Sequence, residues 1–388
     1  MDRKNFAMTF NLPTSWRHGR GLAAQTGDIL QGLGCKRNLL LTDKLLVDLG
    51  VVQTVVASLD ASRIAYTLCD DVTIEPTVSL FERIVQKLDL KTYDSMLAVG
   101  GGSVIDVAKG LAVIAQFGGH IRDYAGFGRI PEPLERKVIA VPTTAGTGSE
   151  VSDGSVLIDE ARQTKFIVLS TWLCPTVAIT DPEMTLTMPP KITANSGVDA
   201  LTHAVESYLS RDASVVSEAF SLKAIELISS GLQRAYEDGQ NLDARETVQI
   251  GSTMAMVAGM NAHMGICHAM IMPLCALYHM PHGQACGMVL PHALAYNERV
   301  EKEKVADIFR AMGLLKGRVG RKTVDHSCYQ GLEDLLKGVG ISAKLSDFGY
   351  REDHMGTIIQ ETLNSVQCQF NPQTPSGEDI ANIVKQLL

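Results

Sequence analysis

The stretch "SMLAVGGGSVIDVAKG", residues 95–110, decides the fold. An apolar run, SMLAVG, ends in three glycines and a serine, and a helical pattern follows over 103–116. A strand that passes through glycines into a helix brings backbone close to a ligand, and the free N–H groups of the helix start favour an anion such as a pyrophosphate. A plain strand-to-helix turn is the alternative.

Similar apolar runs lie on both sides: NLLLT (38–42), IAYTLC (64–69), KVIAVP (137–142) and TVAIT (176–180), separated by periodic segments such as 77–89. Strands alternating with helices predict a mostly parallel, doubly wound α/β sheet up to about residue 185. Beyond it the pattern turns helical, over 190–209, 214–236, 244–262 and about 265–279. The prolines of TMPPK (187–191) punctuate the change, because proline disfavours helix in the residue before it and starts helices well.

Composition narrows the function classes. The 388 residues carry a formal charge of -8, with 45% hydrophobic and 20% charged residues. No basic block is present to neutralise a phosphate backbone, so nucleic acid is not an expected partner. No apolar run approaches the roughly 20 residues of a membrane span, and the N-terminus lacks a secretory apolar segment, so a cytoplasmic location away from any membrane is expected. Eight cysteines are scattered without C-x-x-C spacing and read as small buried hydrophobes with reduced thiols.

A second loop rich in small donors, VPTTAGTGSE (141–150), follows the strand KVIAVP and suits phosphate or ribose. Asp43, at the end of NLLLT, is placed to accept from ribose hydroxyls and to repel a 2′-phosphate, which selects NAD over NADP. GRGLAA (19–24) imitates a dinucleotide fingerprint, but the residues before it, NLPTSWRH, do not read as a parallel core strand, and the fingerprint is discounted.

In the helical half, Asp199 and His203 are four residues apart on one helix face. That spacing suits either a metal or an ordinary structural hydrogen bond. Half of the ten histidines fall between 263 and 292. His268 and His282 complete a carboxylate-plus-three-imidazole set suited to iron(II) or zinc(II) with open positions. His263, His279 and His292 read as ordinary surface or core histidines.

GGGSVIDVAKG, PTTAGTGSEVS, GVDALTHAVE and CHAMIMPLCALYHMPHG occur in order over nearly the whole chain, which in this respect resembles the iron-containing (group III) alcohol dehydrogenases. The resemblance implies a dehydroquinate-synthase-like architecture: an NAD-binding α/β domain at 1–185, an all-helical metal-binding domain at 186–388, and an active site in the cleft between them. It puts the metal on Asp199, His203, His268 and His282. It puts NAD(H) on Asp43, Gly101, Gly102, Ser103, Asp106, Thr143, Thr144, Ala145, Gly146, Thr147 and Lys165.

The implied activity is reversible, metal-dependent reduction of a short-chain aldehyde to a primary alcohol, including an aldehyde with a polar or anionic head group, in a homodimer or larger homo-oligomer. The alternatives are a related non-redox lyase, for which the basic residues that would grip a polyanion are missing from 193–206 and 263–292, and a metal- and nucleotide-binding sensor. Two positions depart from the family pattern. Met272 stands where many members have a second histidine credited with proton transfer, so no catalytic proton carrier is assigned. Glu75 stands where asparagine is common.

Overall fold

The computed structural model describes residues 8–162, 164–315 and 324–388. Among the described residues nine strands form: β1 (Ser15–His18), β2 (Arg37–Leu41), β3 (Ala65–Cys69), β4 (Ser95–Gly100), β5 (Gly126–Phe127), β6 (Lys137–Pro142), β7 (Gly154–Asp159), β8 (Thr164–Leu169) and β9 (Val177–Thr180). Six make one sheet in the order β1-β9-β6-β4-β2-β3, with every pair parallel. The other three make a small sheet, β5-β8-β7, whose β7–β8 pair is antiparallel.

Alternation along the strands explains why the central ones are apolar throughout. Leu39, Leu41, Met96, Ala98, Val138 and Ala140 enter one core, while Leu40, Leu97, Val99, Ile139 and Val141 enter a second core on the opposite face. Helices α1 (Thr26–Gly32), α2 (Lys44–Asp48), α3 (Gln53–Ala61), α4 (Val78–Lys87) and α5 (Gly102–Phe117) accompany this sheet. Helix α5 places a buried lysine, Lys109, among carbonyl and hydroxyl oxygens. Its Nζ donates to Gly154 O (2.8 Å), Ser152 O (2.9 Å), Ser152 Oγ (3.0 Å) and Ser149 Oγ (3.2 Å).

The predicted strands and their parallel pairing are found within a residue or so of their expected bounds. SWRH, however, forms a strand, at the sheet's edge, where its alternately exposed side chains hide it from an apolar-run criterion. The GRGLAA turn after it gives its N–H groups to the protein: Gly21 and Ala23 both donate to the Asp181 carboxylate. That leaves no free nest for phosphate there.

The second unit has no strand among its described residues, and its helices begin with α6 (Pro190–Leu209), α7 (Val215–Glu237), the later part of α8 (Leu242–Ala262), α9 (Ile266–Tyr278) and α10 (His282–Glu298). Two compact units are present, one ending its first stretch at Pro189 and the other resuming at Pro190, and Gly239–Ile250 goes with the sheet unit. Arg245 donates to Met188 O, Gln249 to Asp181 O, and Arg20 pairs with Asp243 and Glu246. Asn11 goes with the helical unit, exchanging hydrogen bonds with Asn261. No single described helix is long and apolar enough to cross a membrane.

Two glycines set how α6 is packed. A Cβ on Gly197 would lie 2.3 Å from Leu232 of α7, and one on Gly283, in the first turn of α10, would lie 1.9 Å from the Asn195 carbonyl oxygen. The second contact is with backbone, which has little room to yield.

Each unit yields a stability prediction. Lys109→Met removes an ammonium that serves four oxygens and leaves Asp106 without its cation, so it lowers stability by about 3 kcal/mol; an unchanged denaturation midpoint would contradict this reading. Gly283→Ala costs about 2 kcal/mol through overpacking, and a variant as stable as the parent would mean that α10 does not approach α6 so closely.

Candidate active site

Helix α6 carries Asp199, His203 and Glu206 at spacings of four and three, so all three project from one buried face. Helix α9 starts at Gly265, which offers no side chain to cap it. Glu206 does so from outside: its carboxylate accepts from Cys267 N (2.6 Å) and His268 N (3.1 Å), where the dipole of a helix start favours an anion. The same carboxylate accepts from His268 Nδ1 at 2.5 Å. That bond makes Nδ1 the protonated nitrogen and turns Nε2 inward. His282 is the first residue of α10 and is held near α6 by the close approach at Gly283.

The three predicted imidazole ligands converge on the fourth, Asp199. Its Oδ1 lies 3.5 Å from His203 Nε2, 3.6 Å from His268 Nε2 and 3.5 Å from His282 Nε2. The rings of His203 and His268 stack with centroids 4.7 Å apart. Bonds of about 2.1 Å to a tetrahedral cation would put neighbouring ligand atoms about 3.4 Å apart, close to these separations. His268 Nε2 is buried and without a hydrogen-bond partner. A buried nitrogen left open beside a carboxylate and two further imidazoles is the signature of a divalent-cation site.

Charge favours the same reading. Burial pushes the Asp199 carboxyl up, but the imidazoles of His203, His282 and His268 outweigh it and hold the group well below the usual carboxylate range. Burial lowers His203 to about 4 and keeps it a neutral donor. Burial also disfavours charge on His268, yet the Asp199 and Glu206 carboxylates overcome it and raise this group to about 9. Without a cation, His268 therefore holds a proton that a metal displaces.

Sequence reasoning missed two neighbours. Glu206 is one; it follows His203 by three on the same helix face, so periodicity alone could have found it. The other is Cys286, four after His282, whose Sγ lies 3.6 Å from Asp199 Oδ1 and groups with Asp199, His268 and His282 among potential donors. Burial pushes its thiol well up, so it donates as a thiol. Met272 follows His268 by one turn and is 39% exposed. The remaining histidines find other surroundings: His292 meets Gln386 at 2.9 Å, His263 lies against Phe370, and His279 ends α9 in a left-handed conformation.

In the sheet unit the expected cofactor residues fall into two groups. Gly101 opens α5 without a side-chain cap, leaving N–H groups free for an anion. A Cβ on Gly101 would lie 3.3 Å from Thr144, and one on Gly102 would lie 2.6 Å from Thr147, so the two donor loops face each other. Ser103 Oγ accepts from Glu75 N (3.3 Å), and Lys165 Nζ lies 2.8 Å from Glu75 Oε1. Asp43 caps α2 by accepting from Leu46 N (2.9 Å). Asp106 is committed to the protein instead: its carboxylate accepts from Ser149 Oγ and from Val156 N (3.0 Å). Thr143, Ala145 and Gly146 are buried, which leaves Thr144 and Thr147 as the accessible side chains of that loop.

Comparison with known proteins agrees over both units. The family profile described as iron-containing alcohol dehydrogenase matches residues 13–182, and that of the Fe-containing alcohol dehydrogenase family, C-terminal, matches 193–388. Lactaldehyde reductase of Escherichia coli (strain K12) is 33% identical over 95% of this chain and 96% of its own. The crystal structure of a 1,3-propanediol oxidoreductase is 34% identical, covers 99% of this chain and 100% of its own, and superposes with a TM-score of 0.93. Sulfoacetaldehyde reductase from Bifidobacterium kashiwanohense, solved in complex with NAD+, is 29% identical with a TM-score of 0.88 and 99% coverage of both chains. With both halves matched and relatives aligned almost end to end, the chain belongs to the iron-containing alcohol dehydrogenase family.

Proposed function

We propose that Asp199, His203, His268 and His282 hold one iron(II), or zinc(II) in its place, and that this chain reversibly reduces a short-chain aldehyde to a primary alcohol with NADH. The observation that carries the proposal is the convergence of three Nε2 atoms on Asp199 Oδ1, with the buried His268 Nε2 otherwise unpartnered. As a family member the chain is an NAD-dependent alcohol–aldehyde oxidoreductase.

When bound, the cation supplies Lewis acidity toward the carbonyl or alkoxide oxygen, and nicotinamide supplies or takes the hydride. The protein positions both. Glu206 fixes the tautomer and ring plane of His268, His203 stays a neutral donor, and the burial of Asp199 and His203 keeps bulk water from competing. The N–H groups at Gly101 and Gly102, the hydroxyls of Ser103, Thr144 and Thr147, and the ammonium of Lys165 would hold the dinucleotide phosphates and ribose. Asp43, with one oxygen on its helix cap, would offer the other to the adenosine ribose.

Reduction also consumes one proton. The Met272 thioether cannot carry it, so the side chain at this position supplies no relay and the proton would have to come from water. The small, apolar lining of α9 supports a compact substrate of two or three carbons. The names of two relatives, lactaldehyde reductase and sulfoacetaldehyde reductase, support a hydroxyl or an anionic head group beside the carbonyl.

Two experiments test this. After anaerobic iron loading, NADH oxidation is expected with two- and three-carbon aldehydes, fastest with those bearing a hydroxyl or an anion; turnover confined to long or bulky substrates would refute the substrate class. His268→Ala and His282→Ala should each lose bound metal by elemental analysis and turnover with it, while circular dichroism stays that of the parent. Either variant retaining both would mean the ligand set is wrong.

A further inference from the structure

Glu75 is the acidic residue that departs from the family pattern, and its surroundings give it a task. It sits between β3 and α4 on a segment pinned from two sides. Ile158 N donates to Pro76 O at 2.9 Å, and Glu75 N donates to Ser103 Oγ at 3.3 Å, in the first turn of α5. Lys165 lies directly across the β7–β8 pair from Ile158, so its side chain emerges beside the same segment. The ion pair that results joins Lys165 Nζ to Glu75 Oε1 at 2.8 Å.

The backbone of Glu75 is left-handed, with φ 55°. Residues other than glycine adopt this conformation at a cost, and asparagine tolerates it better than glutamate does. A glutamate held at such a position, with its carboxylate on the lysine next to an anion-binding helix start, suggests a role for the charge itself.

We propose that Glu75 sets the affinity of the cofactor site: its carboxylate holds the Lys165 ammonium as an internal counter-ion that the incoming dinucleotide diphosphate must displace. This rests on the reading of the Gly101–Ser103 turn and Lys165 as cofactor-binding. Among the residues assigned to the cofactor, Lys165 is the one cation, while the diphosphate brings two negative charges. With the carboxylate in place, the cation is already neutralised and a third negative charge stands at the entrance. Glu75 therefore weakens NADH binding and hastens its release. The Glu75 side chain is 61% exposed and that of Lys165 29%, so the effect is modest and sensitive to salt.

The test is a titration of NADH fluorescence on the full-length protein, comparing the parent with Glu75→Gln and Glu75→Asn. Glutamine keeps the length and backbone strain of glutamate and removes only the charge. It is expected to tighten NADH binding about two- to fivefold at low salt, with the gain shrinking toward none at about 0.5 M salt, where the Debye length is about 4 Å. Asparagine should tighten binding similarly and, by relieving the left-handed backbone, also raise the thermal midpoint. Equal affinity in parent and Gln variant would overturn the proposal. So would weaker binding in the variant, which would make Glu75 a cofactor contact rather than a competitor. If the parent and both variants fail to bind NADH at all, the cofactor reading falls and the proposal with it. Lys165→Gln distinguishes the two failures where the parent does bind: weaker NADH binding in Lys165→Gln with equal affinity in Glu75→Gln overturns the Glu75 proposal alone, whereas unchanged affinity in Lys165→Gln removes Lys165 from the cofactor site and the proposal with it.

Discussion

Two carboxylates buried in a helical unit, Asp199 and Glu206, are the constraint around which this molecule's chemistry is organised. Burying an ion is costly unless it is paired and hydrogen-bonded. Among the described residues no lysine or arginine pairs with these two; their neighbours are imidazoles, backbone N–H groups and a thiol. Three neutral imidazoles cannot balance two negative charges. A single proton on His268 balances one of them, which is why that ring is pushed to about 9. A divalent cation balances both, and the open Nε2 of His268 faces the place where it would sit. The donor arrangement and the charge ledger ask for the same species.

The sheet unit meets the opposite problem with the opposite solution. Its buried ion is a cation, Lys109, 0% exposed and surrounded by carbonyl and hydroxyl oxygens from the loop that follows β6. Asp106, one turn earlier on α5, takes N–H and O–H groups of the same region. Burial pushes the carboxyl up and the ammonium down, and the attraction between the two opposes both shifts, helped by the hydrogen bonds each makes to its surroundings. The consequence is mechanical: α5 and the threonine-rich loop are tied together beneath the two donor loops, and the N–H groups above them stay fixed for a ligand.

Much of this was legible in the amino-acid order because the signals were local. Apolar runs marked the core strands, glycines marked the turn into α5, and the four-residue spacing of Asp199 and His203 marked a helix face. What was hidden depends on contacts made far along the chain. SWRH pairs with β9 across some 160 residues and exposes alternate side chains, so no apolar run announces it. The 239–250 segment looks like part of a helical half, yet Arg245 and Gln249 bond to residues 188 and 181. Asp106 sits in the motif where a cofactor contact is expected, and only its partners at 149 and 156 show that its carboxylate faces the protein.

Glu206 illustrates how the two levels meet. As a helix residue it is unremarked in sequence, one of many glutamates on a helix. In three dimensions one carboxylate caps the start of α9, orients His268 and supplies half of the buried negative charge. These roles cannot be separated, because the N–H groups that it caps belong to His268 itself and to the residue before it. Ordering of the first turn of α9 and presentation of His268 Nε2 are therefore one event. A cation held by His268 Nε2 would therefore add its binding energy to the stability of that turn, and the turn would in exchange fix one corner of the donor set.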